Sequence, residues 1–213
     1  MRKAMIGIAV IFAGVAQAEE VVIAALGDSL TQGYGLPAEQ GFVPQLQAWL
    51  DEHDADVRLI NAGVSGDTTT GGLARVDWTL TPDVDGMIVA LGGNDLLRGL
   101  DPAQARGNIK GILEAAETAS VEVLLVGMQA PGNYGPNYKI QFDAIYPDLA
   151  KEFDSLYLES FFAGLSEAGE TPDPVELSPY FQADGVHPNA QGVAKIVARM
   201  GPEVLALIGV IID

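Results

Sequence analysis

The 213-residue chain has no cysteine, only two histidines, and 11 Lys and Arg against 29 Asp and Glu. Without Cys there is no disulfide framework, no thiolate metal site and no catalytic thiol. A formal charge of −18 repels nucleic acid and anionic lipid head groups, so a nucleic-acid partner is excluded. Aromatics make up 7%, few for stacking against sugars. Charged residues at 19% and hydrophobic residues at 48% fit neither a disordered chain nor a coiled coil. No metal or organic cofactor is expected, and any chemistry that needs imidazole must use His53 or His187.

Long apolar runs are also missing. The longest, residues 4–15, is too short to span a bilayer as a permanent anchor, so no integral membrane segment is expected in the mature protein. It follows Arg2 and Lys3 and precedes the small-residue pattern Ala16-Gln17-Ala18. That layout predicts a signal peptide over residues 1–18, a cut after Ala18, and a periplasmic or secreted protein with a single domain over 19–213. Losing Arg2 and Lys3 takes the charge from −18 to −20.

What is present is an alternation of apolar runs and helical patterns. Strands are predicted at 21–26, 57–60, 87–91, 121–128 and 156–158. Helices are predicted at 42–53, 68–80, from Pro102 through Ala116, at 141–153, and from Asn189 to about Leu207, with a kink or break at Pro202. Residues 163–184, with three prolines, read as irregular. Unbroken apolar strands alternating with helices indicate an α/β fold, a parallel sheet covered on both faces.

Polar, Gly-rich clusters follow three strands: Gly27-Asp28-Ser29-Leu30, Ser65-Gly66-Asp67-Thr68 and Gly92-Gly93-Asn94-Asp95. A parallel sheet brings its strand C-termini to one edge, so these distant clusters should converge there. Ser29, at a strand-to-helix turn, is the candidate nucleophile, although residues 27–31 lack the Gly-x-Ser-x-Gly elbow of α/β-hydrolases. A serine hydroxyl needs a base. His53 sits among Asp51, Glu52, Asp54 and Asp56 and reads as a solvated surface residue. His187, in Asp184-Gly185-Val186-His187-Pro188, can receive the Asp184 carboxylate on Nδ1 through one turn, leaving Nε2 for Ser29. Candidate oxyanion donors are the Ser29 N–H, the Gly66 N–H and the Asn94 side-chain amide.

These four blocks resemble the SGNH (GDSL) hydrolase family, with Ser29, Gly66, Asn94 and His187 with Asp184 in the family's order. Gly72-Leu73-Ala74-Arg75, Leu97-Arg98-Gly99, Asn133-Tyr134-Gly135 and Ala144-Ile145-Tyr146-Pro147 resemble its bacterial periplasmic thioesterase I/lysophospholipase/arylesterase branch. The resemblance implies a three-layer, flavodoxin-like fold with a five-stranded sheet of order 2-1-3-4-5. It also implies esterase activity on acyl chains and a mobile loop, here residues 96–100, over the acyl site. Leu96 departs from the small residue that the branch often carries there.

The expected reaction is acyl transfer to water through an acyl-enzyme on Ser29, with His187 and Asp184 as its partners. The acyl chain is expected against Leu96, Leu97, Met128, Pro131 and Tyr134. The substrate is a small-molecule acyl ester or lysophospholipid, and the protein is expected to be a monomer or weak oligomer. A carbohydrate O-deacetylase and a non-catalytic lipid-binding module remain open as alternatives.

Overall fold

The computed structural model describes residues 20–165 and 174–213. The proposed signal peptide lies outside them, as does the middle of the irregular stretch. Five strands form one parallel sheet in the order β2-β1-β3-β4-β5: β1 (Val21–Gly27), β2 (Val57–Gly63), β3 (Gly86–Ala90), β4 (Glu122–Val126) and β5 (Leu156–Leu158). All residues of β1 and β3 are buried, which is why both read as unbroken apolar runs. Helices α2 (Phe42–Glu52) and α9 (Ala190–Ile212) pack together, as do α3 (Thr69–Thr79) and α5 (Pro102–Ala119). The expected three-layer α/β fold and strand order are observed.

The chain leaves β1 toward β2 and returns across it to β3, so the sheet's topological switch lies between the ends of β1 and β3. A cleft forms at such a point in an open parallel sheet. Two short helices start there: α1 (Ser29–Gln32) after β1 and α4 (Gly93–Arg98) after β3. Gly92 permits the second turn, because its φ is +115° and a Cβ would collide with the Tyr146 hydroxyl.

Three elements differ from the sequence reading. The helix predicted over 141–153 is two helices, α6 (Pro136–Asp143) and α7 (Ile145–Glu152). Pro136 provides an earlier start, and Pro147 has no N–H to donate to the Asp143 carbonyl, so the first helix stops there. Pro202 does not break α9, which runs on to Ile212. Its buried stripe of Val193, Ile196, Val197, Met200, Val204 and Leu207 presses it onto the sheet and offsets one missing hydrogen bond. Residues 96–98 of the expected loop are the last turn of α4, closed at Gly99 by bonds from Gly99 N–H to Leu96 and from Leu100 N–H to Asp95. Within the irregular stretch, α8 (Pro174–Leu177) is a single helical turn.

Candidate active site

Ser29 begins α1 and is buried at the end of β1. The preceding Asp28 caps this helix, its Oδ1 accepting from Leu30 N–H at 3.0 Å. The Ser29 Oγ lies 2.9 Å from His187 Nε2, across 158 residues of sequence. On the other side of the ring, Nδ1 is 2.7 Å from Asp184 Oδ2. Asp184 Oδ1 accepts from the N–H groups of Val186 and His187 at 2.9 and 3.0 Å, which fixes the carboxylate within its own turn. The hydrogen bond with His187, joined by the two backbone N–H groups, holds the Asp184 carboxyl down to about 2. The carboxylate is therefore ionised at neutral pH.

The turn carrying His187 is anchored to the segment after α1. Gln182 Nε2 donates to the carbonyls of Tyr34 and Pro188 at 2.9 and 3.0 Å. The Tyr34 ring lies 4.7 Å from the imidazole. Asn189 caps α9 by accepting from Gln191 and Gly192 N–H, so the residue after the His-Pro pair starts the last helix. His53 is exposed at the end of α2, stacked on Trp49 at 3.6 Å with Nδ1 bonded to the Trp49 carbonyl. It touches none of these groups.

Three ties join the ends of β1, β2 and β3. Between β1 and β3, Asn94 Nδ2 donates to Asp28 Oδ2 at 3.3 Å. Between β3 and the start of α3, buried Asp95 accepts from Thr69 N–H at 2.9 Å and Thr69 Oγ1 at 2.7 Å. Between β1 and β2, Arg75 donates to Asp67, to the Ala62 carbonyl and to the Gly27 carbonyl at 2.7, 2.7 and 2.8 Å. Burial pushes the Asp28 carboxyl up to about 6, against the lowering pull of Leu30 N–H, Asn94 and His187. Gly66 occupies the third position of a turn closed from Asp67 N–H to the Val64 carbonyl, with φ +82°. Its carbonyl accepts from Arg98 of α4 at 2.8 Å.

A cavity of about 470 Å³ opens beside Ser29 and Asn94. All five apolar residues expected to meet an acyl chain line it. Leu96 and Met128 are buried in it, whereas Leu97 and Tyr134 are largely exposed. The Tyr134 hydroxyl donates to the Leu97 carbonyl at 3.3 Å, linking two of these residues. Gly66 is not among the lining residues, and Arg98 ties its carbonyl to α4, the helix that carries Asn94.

A second wall, not foreseen from sequence, comes from Ser160, Phe162, Leu177, Phe181 and Val186. Val186 sits within the Asp184–His187 motif; the other four follow β5 or precede the base-bearing turn, and nothing in local pattern marks them. Asp28 and Asp95 were legible as acidic residues at the ends of apolar strands, but their partners lie 66 and 26 residues away. Among the described residues no group of His, Asp and Glu could hold a metal ion, and no helix is long and apolar enough to cross a membrane.

Known proteins resemble this chain in sequence and fold. The model of the GDSL-like Lipase/Acylhydrolase family matches residues 25–195. Esterase TesA of Pseudomonas aeruginosa is 34% identical over 193 residues, covering 90% of this chain and 92% of that protein. Thioesterase 1/protease 1/lysophospholipase L1 of Escherichia coli K12 is 37% identical over 185 residues, 86% and 83% of the two chains. The crystal structure of AlinE4, an SGNH-hydrolase family esterase, is 42% identical with a TM-score of 0.71, covering 90% of this chain and 98% of that one. With its fold, its ordered blocks and these relatives in agreement, the chain belongs to the GDSL-like lipase/acylhydrolase family and is an SGNH serine esterase.

Proposed function

We propose that Ser29 is the nucleophile of a two-step acyl transfer to water, with His187 as general base and acid and Asp184 orienting it. The observation that carries this reading is the continuous line from Asp184 Oδ2 to Nδ1 at 2.7 Å and from Nε2 to Ser29 Oγ at 2.9 Å. In the first step Oγ bonds to the acyl carbon as its proton passes to Nε2. The carbonyl electron pair moves onto oxygen, where the Ser29 N–H, the Gly66 N–H and the Asn94 amide would receive it. When the pair returns, the bond to the leaving alkoxide or thiolate breaks and the imidazolium protonates that group. Water then attacks the acyl-enzyme, gives its proton to Nε2 and releases the acid as Oγ recovers a hydrogen.

The acyl chain lies in the cavity against Leu96, Leu97, Met128, Pro131 and Tyr134. Every group of the site comes from one chain, so a monomer suffices. Residues 1–18 direct export, and the enzyme then works outside the cytoplasm. Its charge argues for esters with neutral or zwitterionic heads, such as lysophospholipids, because acyl-CoA is a polyanion that a strongly acidic surface repels. Comparing kcat/KM for lysophosphatidylcholine and acyl-CoA of equal chain length at low salt tests the substrate reading. The lysophospholipid should be the better substrate, and a higher value for acyl-CoA would overturn it.

A further inference from the structure

We propose that Asp28 is a positioning residue for Asn94, fixing which end of the Asn94 amide faces the substrate carbonyl. The carboxylate is buried, lies in the wall of the substrate cavity and has no Lys or Arg partner among the described residues. Capping α1 does not require it, since Ser, Thr or Asn caps a helix as well. Its special property is that an ionised carboxylate only accepts hydrogen bonds.

The two ends of an Asn amide have nearly the same shape, so partner chemistry decides its orientation. Asp28 Oδ2, 3.3 Å from Asn94 Nδ2, admits the NH₂ end and rejects the carbonyl end. The second hydrogen on that nitrogen is then free for an oxyanion. Gly93 lets the carboxylate approach, for a Cβ there would stand 3.1 Å from Asp28 Oδ2. One carboxylate thus sets both the helix that carries Ser29, through Leu30 N–H, and the donor opposite it.

The proposal rests on Asn94 serving the oxyanion, and the test separates the two. Asp28→Asn keeps the shape and the cap but presents an NH₂ where Asn94 needs an acceptor. Steady-state kinetics on a p-nitrophenyl ester are measured for wild type, Asp28→Asn, Asn94→Ala and the double variant. Asn94→Ala should lower kcat about 10²–10³-fold, as loss of one oxyanion donor does. Asp28→Asn should lower kcat about 10–100-fold with KM within about threefold, and the double variant should be no slower than Asn94→Ala alone. Losses that multiply in the double variant, or a wild-type kcat in Asp28→Asn, would overturn the role of Asp28. A wild-type kcat in Asn94→Ala would instead remove Asn94 from the oxyanion site. Thermal unfolding checks that each variant folds. Should Asp28→Asn not fold, Gly93→Ala, which sets a methyl against Oδ2, enters the same cycle with the same two readings.

Discussion

The two sides of the site are built differently. On the nucleophile side, the buried ends of β1 and β3 and the partly exposed end of β2 are joined by Asp28, Asp95 and Arg75 across tens of residues. On the base side, Asp184 and His187 are three residues apart, the Asp184 side chain is 41% exposed, and its bonds stay within one turn. The nucleophile side is therefore part of the fold, whereas the base side is a local motif set upon it. Substitution of Asp184 should change activity far more than stability. Substitutions on the nucleophile side should change activity and stability together.

The largest expected effect breaks the base side. Asp184→Asn should lower kcat by about 10³–10⁴-fold, because the imidazole loses the partner that fixes its tautomer and stabilises its charge. The melting temperature should fall by no more than a few degrees, as expected of a half-exposed side chain whose hydrogen bonds stay within its own turn. A drop in stability comparable to that of a core substitution would show that the turn belongs to the fold after all.

A smaller effect sharpens the other side. The folded-state carboxyl of Asp28 is raised from 3.8 to about 6, so the folded protein holds that proton more tightly than the unfolded chain. The resulting stabilisation is present below pH 4 and is lost as pH rises through 6. Its full size is about 3 kcal/mol. Asp28→Asn removes this dependence, so its stability relative to wild type should be higher at pH 7 than at pH 4. Denaturant unfolding of both proteins at the two pH values measures the difference. An equal offset at both would place the titration elsewhere.

The same contrast explains what could be read before the structure. The Asp184-Gly-Val-His187 turn was legible because its geometry is contained in four adjacent residues. The strand order came with the family resemblance, whereas the convergence of Ser29 and Asn94 was legible because buried parallel strands read as apolar runs and must bring their C-terminal ends to one edge. Arg75 was visible in a family motif, yet its three acceptors belong to the ends of two strands and a loop that only folding assembles. The wall formed by Phe162, Leu177 and Phe181 had no periodicity to betray it. The family resemblance placed a loop over Leu96–Arg98, and the short helix there carries no repeat that would have argued against it. Pro202 lacks the N–H a helix interior needs, and the buried stripe of α9 outweighs that loss.

Catalysis by this site requires that Ser29 be the group that His187 activates. A fluorophosphonate probe, followed by mass mapping of the labelled peptide, tests this most directly. One adduct on Ser29 is predicted, absent from Ser29→Ala, much slower to form in His187→Ala, and formed at the wild-type rate in His53→Ala. Labelling of another residue, or equal labelling rates in His187→Ala and wild type, would contradict it.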